Sequence, residues 1–140
     1  TYIVRKAARK ATNAEGVTFV LNENEKCYYA DEDAIEPLWK GQTFPIHYCI
    51  SGWVMVNRLP AIIADIYQDS RIPHDIYRKT FVKSLAMVPI RTRDPIGALG
   101  AYWSRNYLPS PEEVRMLQAI ADVTAVAFQN IQLSGGILKD

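Results

Sequence analysis

The feature that most constrains the fold is a C-terminal helix with two apolar faces. Ser110-Pro-Glu-Glu113 supplies an N-cap serine, a proline at the first helical position and a glutamate at the third, a complete capping box. Beyond it, one stripe holds Val114, Leu117, Ala121, Phe128 and Ile131, and a second holds Met116, Val123, Val126 and Leu133. Only a narrow strip with Gln118, Asp122, Gln129 and Gln132 is polar. A helix patterned this way needs two partners. A sheet can cover one stripe, and a second subunit or a neighbouring helix the other. The plainer alternative is that both faces are internal.

The strands for that sheet are legible upstream. Residues 2–14 read as a helix with Val4, Ala7, Ala8 and Ala11 on one face and Arg5, Lys6, Arg9 and Lys10 on the other, stopped by Gly16 as C′. A hairpin of strands 17–21 and 26–30 follows, turned by the polar residues 22–25. Residues 31–45, with Pro37, Gly41 and Pro45, predict turns and a helical fragment over 35–39. Then come a short helix over 51–57 with Ser51 near its N-cap, a strand over 60–65 and a short helix over 74–79. Strands over 84–90 and 96–103 complete the sheet. Pro89 removes a ladder donor, so its strand must bulge or lie partly at an edge. Gly97, Ala98 and Gly100 leave room for close approach by a ligand or a packed helix.

Composition narrows the class. At 140 residues the chain has one domain's length, with 49% apolar and 22% charged residues, which speaks against disorder. A net charge of +1 argues against a dedicated nucleic-acid binder. No apolar run reaches the 18 or so residues of a membrane span. Two cysteines, Cys27 and Cys49, make no disulfide framework, and nothing reads as a secretory signal, so a reduced, cytoplasmic compartment is expected. The missing initiator Met and the start inside a helical pattern suggest a piece of a longer protein.

Several segments resemble the GAF domain family: Ser51-Gly-Trp-Val, Asn57-Arg-Leu-Pro60, Ile62-Ile-Ala-Asp65, Phe81-Val-Lys-Ser-Leu85, Val88-Pro-Ile90, Ile96-Gly-Ala-Leu-Gly100 and the capping box. The resemblance covers residues 1–133, leaving 134–140 as a tail or the start of a linker. It is strongest to GAF modules that precede a histidine kinase or similar output. It implies an α+β architecture in α/β/α layers, with a central antiparallel sheet of five or six strands. The terminal helices would pack on one sheet face, and a pocket would lie over the other. It also implies a homodimer, relaying through Met116, Val123, Val126 and Leu133 to an output domain in the same polypeptide.

The family's chemistries can be tested against the residues. Covalent bilin attachment in similar domains uses a Cys followed directly by His; here Cys27 precedes Tyr28 and Cys49 precedes Ile50. The Asn-Lys…Phe…Asp-Glu pattern of cyclic-nucleotide-binding relatives has only partial echoes in Asn57-Arg58 and Phe81. Cys27, His47, Cys49 and His74 lack the paired short spacings of a structural zinc site. Neither haem nor a cyclic nucleotide is supported, no metal is expected, and the cofactor is unknown. A redox enzyme similar to free methionine sulfoxide reductases would use two thiols, but neither cysteine sits in that family's motif context. The chain is expected to be non-catalytic. Its pocket, placed by resemblance and by aromatic content, is assigned to Tyr29, Trp39, Phe44, Trp53, Tyr67, Tyr77, Phe81 and Tyr102. Those rings either stack on a planar small-molecule ligand or fill the cavity themselves. The corresponding functions are a sensory module and a ligand-free dimerisation spacer.

Overall fold

Period-two alternation decides the architecture. In the strand Ser84–Ile90, Ala86, Val88 and Ile90 point to one face, Leu85 and Met87 to the other, and all seven residues are buried. Its neighbour Gly97–Trp103 is equally buried, with Leu99, Ala101 and Trp103 on the first face and Ala98 and Tyr102 on the second. A strand apolar on both sides requires a cover on both sides.

The computed structural model describes the backbone of residues 2–133 and the side chains of residues 2–128; the tail 134–140 and the side chain of Leu133 lie outside the described residues. Strands β1 (Gly16–Asn22), β2 (Lys26–Ala34), β3 (Thr43–Pro45), β4 (Ala61–Ile63), β5 (Ser84–Ile90) and β6 (Gly97–Trp103) form one antiparallel sheet. Their order is β3-β2-β1-β6-β5-β4. Helices α1 (Tyr2–Thr12) and α4 (Pro111–Leu133) cover one face, burying Ala8, Leu117, Ala121 and Ala125 against Val17, Phe19, Val88 and Leu99. The other face carries α2 (Ile50–Asn57), a 3-10 turn (Ile66–Gln68), α3 (His74–Tyr77) and the segment between β2 and β3. No described helix is long and apolar enough to cross a membrane.

Several local expectations are corrected. Helix α1 ends at Thr12 because Asn13 takes the left-handed conformation (φ 53°), not because of Gly16. Gly16 instead opens β1, where a Cβ would lie 2.9 Å from that of Ala34. Strand β2 runs on to Ala34, past a bulge opposite Phe19 and Val20, so Asp31, Glu32 and Asp33 are strand residues. No helix forms over 35–39, where side-chain capping by Glu32 takes its place. Cys49, not Ser51, is the N-cap of α2. The strand expected over 60–65 contracts to β4, and β3 appears where only turns were expected. Pro89 sits beyond the stretch of β5 that β4 pairs with, Leu85–Met87, and its carbonyl accepts from Gln118 Nε2 at 3.0 Å. Its missing N–H therefore interrupts no ladder.

The capping box forms as the residues dictate. Glu113 N–H donates to Ser110 Oγ at 3.1 Å, and Ser110 N–H donates back to Glu113 Oε1 at 2.8 Å. The Tyr107 hydroxyl donates to the same carboxylate. Partial burial pushes the Glu113 pKa up, but these hydrogen bonds outweigh it and the net shift is downward. A carboxylate with a depressed folded-state pKa stabilises fully above its unfolded-state value and loses that contribution as pH falls through the folded-state value. Ser110→Ala should therefore lower the unfolding free energy by about 1 kcal/mol at neutral pH. Urea denaturation of both proteins should show the gap narrowing as Glu113 is protonated in acid.

Candidate functional site: a closed aromatic enclosure

The face opposite α1 and α4 is filled by rings. Tyr29 of β2, Tyr102 of β6 and Tyr77 of α3 surround Trp39, which lies on the segment between β2 and β3. Trp39 is 3% exposed, and its ring centroid lies 4.7 Å from Tyr77 and 5.6 Å from both Tyr29 and Tyr102. Phe44 closes one side, edge-on to Tyr29 at 5.7 Å. These tilted and edge-to-face contacts are the favoured geometry for aromatic pairs.

A carboxylate holds Trp39 in place. Glu32 Oε2 accepts the Leu38 N–H, and Oε1 accepts those of Trp39 and Lys40, each at 2.9 Å. Backbone bonds from Gly41 to the Tyr29 carbonyl and from Tyr29 to the Gln42 carbonyl, at 2.8 and 2.9 Å, tie the rest of the segment to β2. The Trp39 segment is thus a plug seated against the strand that precedes it.

Polar groups inside the enclosure are few. Tyr102 and Thr18 share a hydrogen bond at 2.8 Å, and Tyr29 and Ser51 one at 3.1 Å. The Tyr77 hydroxyl is buried without a hydrogen-bond partner among the described residues. Burial pushes all three tyrosines above the usual phenol range, so they act as neutral hydrogen-bonding groups.

Of the eight pocket residues assigned from the sequence, Tyr29, Trp39, Phe44, Tyr77 and Tyr102 come together here. The other three lie at the margin. Trp53 stacks under Arg71 at 4.3 Å in an outer groove, Tyr67 packs on His74 at 5.4 Å, and Phe81 reaches toward Gly16. His74 spends Nε2 on the Ile66 and Asp69 carbonyls at 2.9 and 3.1 Å. The room beside Gly97 and Gly100 is taken by the chain itself. A Cβ at Gly97 would meet the Val20 carbonyl, and one at Gly100 would meet Met87 and the Tyr102 hydroxyl. Sequence reasoning missed Glu32, Thr18 and Ser51. The parity of β1 puts Thr18 opposite Val17 and Phe19, which was a usable signal, whereas nothing local marks Glu32 as a cap for residues six to eight positions on.

With this geometry in hand, the family follows. A sequence model of the GAF domain matches residues 2–129, and the chain belongs to that family. Among solved structures, the GAF-B domain of DevS from Mycobacterium smegmatis superposes with TM-score 0.76 at 20% identity, over 94% of this chain and 92% of that one. A domain described as coming from a candidate two-component sensor histidine kinase of Sinorhizobium meliloti gives 0.76 at 16% identity, over 95% and 91%. The type II free methionine-R-sulfoxide reductase of Thermoplasma acidophilum gives 0.74 at 17%, over 92% and 94%. At these identities the likeness is one of fold. No curated protein matches the chain.

Glu32→Ala should lower the unfolding free energy by about 2 kcal/mol, because it strips acceptors from three backbone N–H groups, one of them exposed to water that can replace the carboxylate. Amide exchange at residues 38–40 should accelerate accordingly. Unchanged exchange would show that the plug is held by ring packing alone.

Proposed function

We propose that this GAF domain is a non-catalytic sensory module of a signalling protein, a sensor histidine kinase being the best-supported context. It binds a planar small molecule in the aromatic enclosure and passes the event to α1 and α4. The observation that carries the reading is the plug: Trp39 occupies the middle of the enclosure, on an irregular segment seated by one carboxylate. A planar ligand displacing it would stack on Tyr29, Tyr77 and Tyr102 and give the buried Tyr77 hydroxyl a partner. The S. meliloti neighbour, by its description, supports the kinase context.

The route to α1 runs through β2. Asp31, 2% exposed, accepts from Arg5 of α1 at 2.6 Å and faces Lys40 of the plug at 3.2 Å. Asp33 pairs with Arg9 at 2.7 Å and Lys6 at 3.5 Å. Removing Lys40 from a buried carboxylate changes the field that holds Arg5, so plug movement alters how α1 is held. On α4, Met116, Val123 and Val126 are 42%, 69% and 57% exposed, an apolar stripe suited to a second copy of the chain.

A second reading, a ligand-free dimerisation spacer, is favoured by the completeness of the ring packing around Trp39. Native mass spectrometry of the purified chain, beside its denatured mass, separates the two. Excess mass lost on denaturation supports the sensory reading. A clean mass, together with tryptophan emission unmoved by a panel of planar ligands in a Trp53→Phe, Trp103→Phe variant that keeps Trp39 alone, supports the spacer. For the stripe, Val123→Glu with Val126→Glu should halve the molar mass in sedimentation equilibrium, and an unchanged mass would show that these residues hold no dimer.

A further inference from the structure

The two cysteines play no part in the function proposed above, yet the fold brings them together. Cys27 lies on β2 opposite Phe44 of β3. Cys49 follows Pro45 at the end of β3 by four residues and caps α2, and this return puts both thiols in one buried cluster, where Ser51 joins Cys49 Sγ to the hydroxyl of Tyr29, two residues along β2 from Cys27. Both are buried, at 0% and 3% exposure. The Ser51 hydroxyl donates to Cys49 Sγ at 3.2 Å, and Cys49 Sγ lies 3.8 Å from the Pro45 carbonyl. On its outer side Cys49 lines a surface groove of about 410 Å³ with His47, Tyr48, Trp53 and Arg71.

We propose that Cys27 and Cys49 form a reversible disulfide, Cys49 meeting a small peroxide through the groove and Cys27 resolving the product. The Cys49 sulfur attacks one peroxide oxygen, the O–O bond breaks, and the other oxygen leaves as water with the thiol's proton. Cys49 is then a sulfenic acid. The Cys27 sulfur attacks the Cys49 sulfur, the S–O bond breaks, and hydroxide leaves as water with the Cys27 proton. Two thiols and one hydrogen peroxide thus become one disulfide and two waters.

The order of the two roles follows from their surroundings. The hydrogen bond from Cys27 brings Cys49 down to about 7 against the opposing effect of burial, and Ser51 and the N–H groups at the start of α2 add to it. The same contact, with burial, pushes Cys27 far above the usual thiol range. The groove reaches Cys49, the thiol whose surroundings favour loss of its proton. The disulfide would close the loop that carries Trp39, tying β2 to the start of α2 on both sides of the plug. This holds whether or not the enclosure takes a ligand.

The whole chain is treated with hydrogen peroxide under native conditions, quenched, denatured, alkylated and weighed. The expected product has lost the mass of two hydrogen atoms, takes up no alkylating agent, yields a Cys27–Cys49 cross-linked peptide and reverts with dithiothreitol. Cys27→Ser should gain oxygen at Cys49 without a cross-link, and Cys49→Ser should consume peroxide about tenfold more slowly. Full alkylation of both thiols after peroxide, oxygen accumulating on wild-type Cys49, or a cross-link joining two chains would each overturn the proposal. The wild-type measurement decides alone if either variant fails to fold.

Discussion

A sheet without a solvent face is the constraint on which the rest of this structure depends. β5 and β6 lie in the inner part of the sheet and bury every residue, so both faces must be closed by whatever the chain has left. Regular helices suffice on one side, where Leu117, Ala121 and Ala125 present a continuous apolar stripe. Truncating a core leucine such as Leu117 typically costs about 2–5 kcal/mol, several times the worth of the cap that starts its helix. The other side is closed by short elements and by loops, and loops carry backbone donors that must be satisfied. The requirement to cover apolar strands therefore generates the demand for capping groups such as Glu32 and Asp65.

The acidic run on β2 shows how one strand serves both faces. Asp31 and Asp33 hold Arg5 and Arg9 of α1, while Glu32, between them, turns to the N–H groups of the Trp39 segment. Strand alternation enforces this division. A one-residue slip in register would send two carboxylates into the aromatic face and leave α1 with one. The bulge at Phe19 and Val20 offsets the pairing of β1 and β2 ahead of that run. Two buried or half-buried carboxylates under one helix are costly unless matched, and three cations from α1 match them.

What was legible in the sequence was what repeats. Helix α4, the hairpin, and strands β5 and β6 follow from periodicity over seven or more residues, and the fold follows from their order. The segment from Asp31 to Pro45 was misread because its structure is set by one side chain acting six to eight residues along the chain. The local composition around Pro37 suggested a helical turn, but Glu32, still on β2, supplies the same N–H groups with carboxylate acceptors. Ser51 was misread for a related reason. It has the composition of an N-cap, yet the chain turns two residues earlier, where Gly52 lets the Ile46 carbonyl come within 1.6 Å of a would-be Cβ. The aromatic enclosure was legible as a set of rings but not as a closed one, because closure depends on Trp39, whose position depends on Glu32.

The same dependence links the enclosure to its surroundings. Lys40 follows Trp39 and faces Asp31, Asp31 holds Arg5, and Glu32 holds the N–H groups of both Trp39 and Lys40. Cys49 lies near enough to Tyr29, Tyr77 and Tyr102 for its charge to bear on all three phenols. A rearrangement at Trp39 therefore cannot stay local. Moving the ring removes packing from three tyrosines and displaces Lys40, which changes the charge balance at a carboxylate under α1. Close-packed interiors change between discrete arrangements rather than yielding gradually. Of the two ties a relay would need, one to the enclosure and one to α1, the plug has both, through Trp39 and through Lys40 at Asp31.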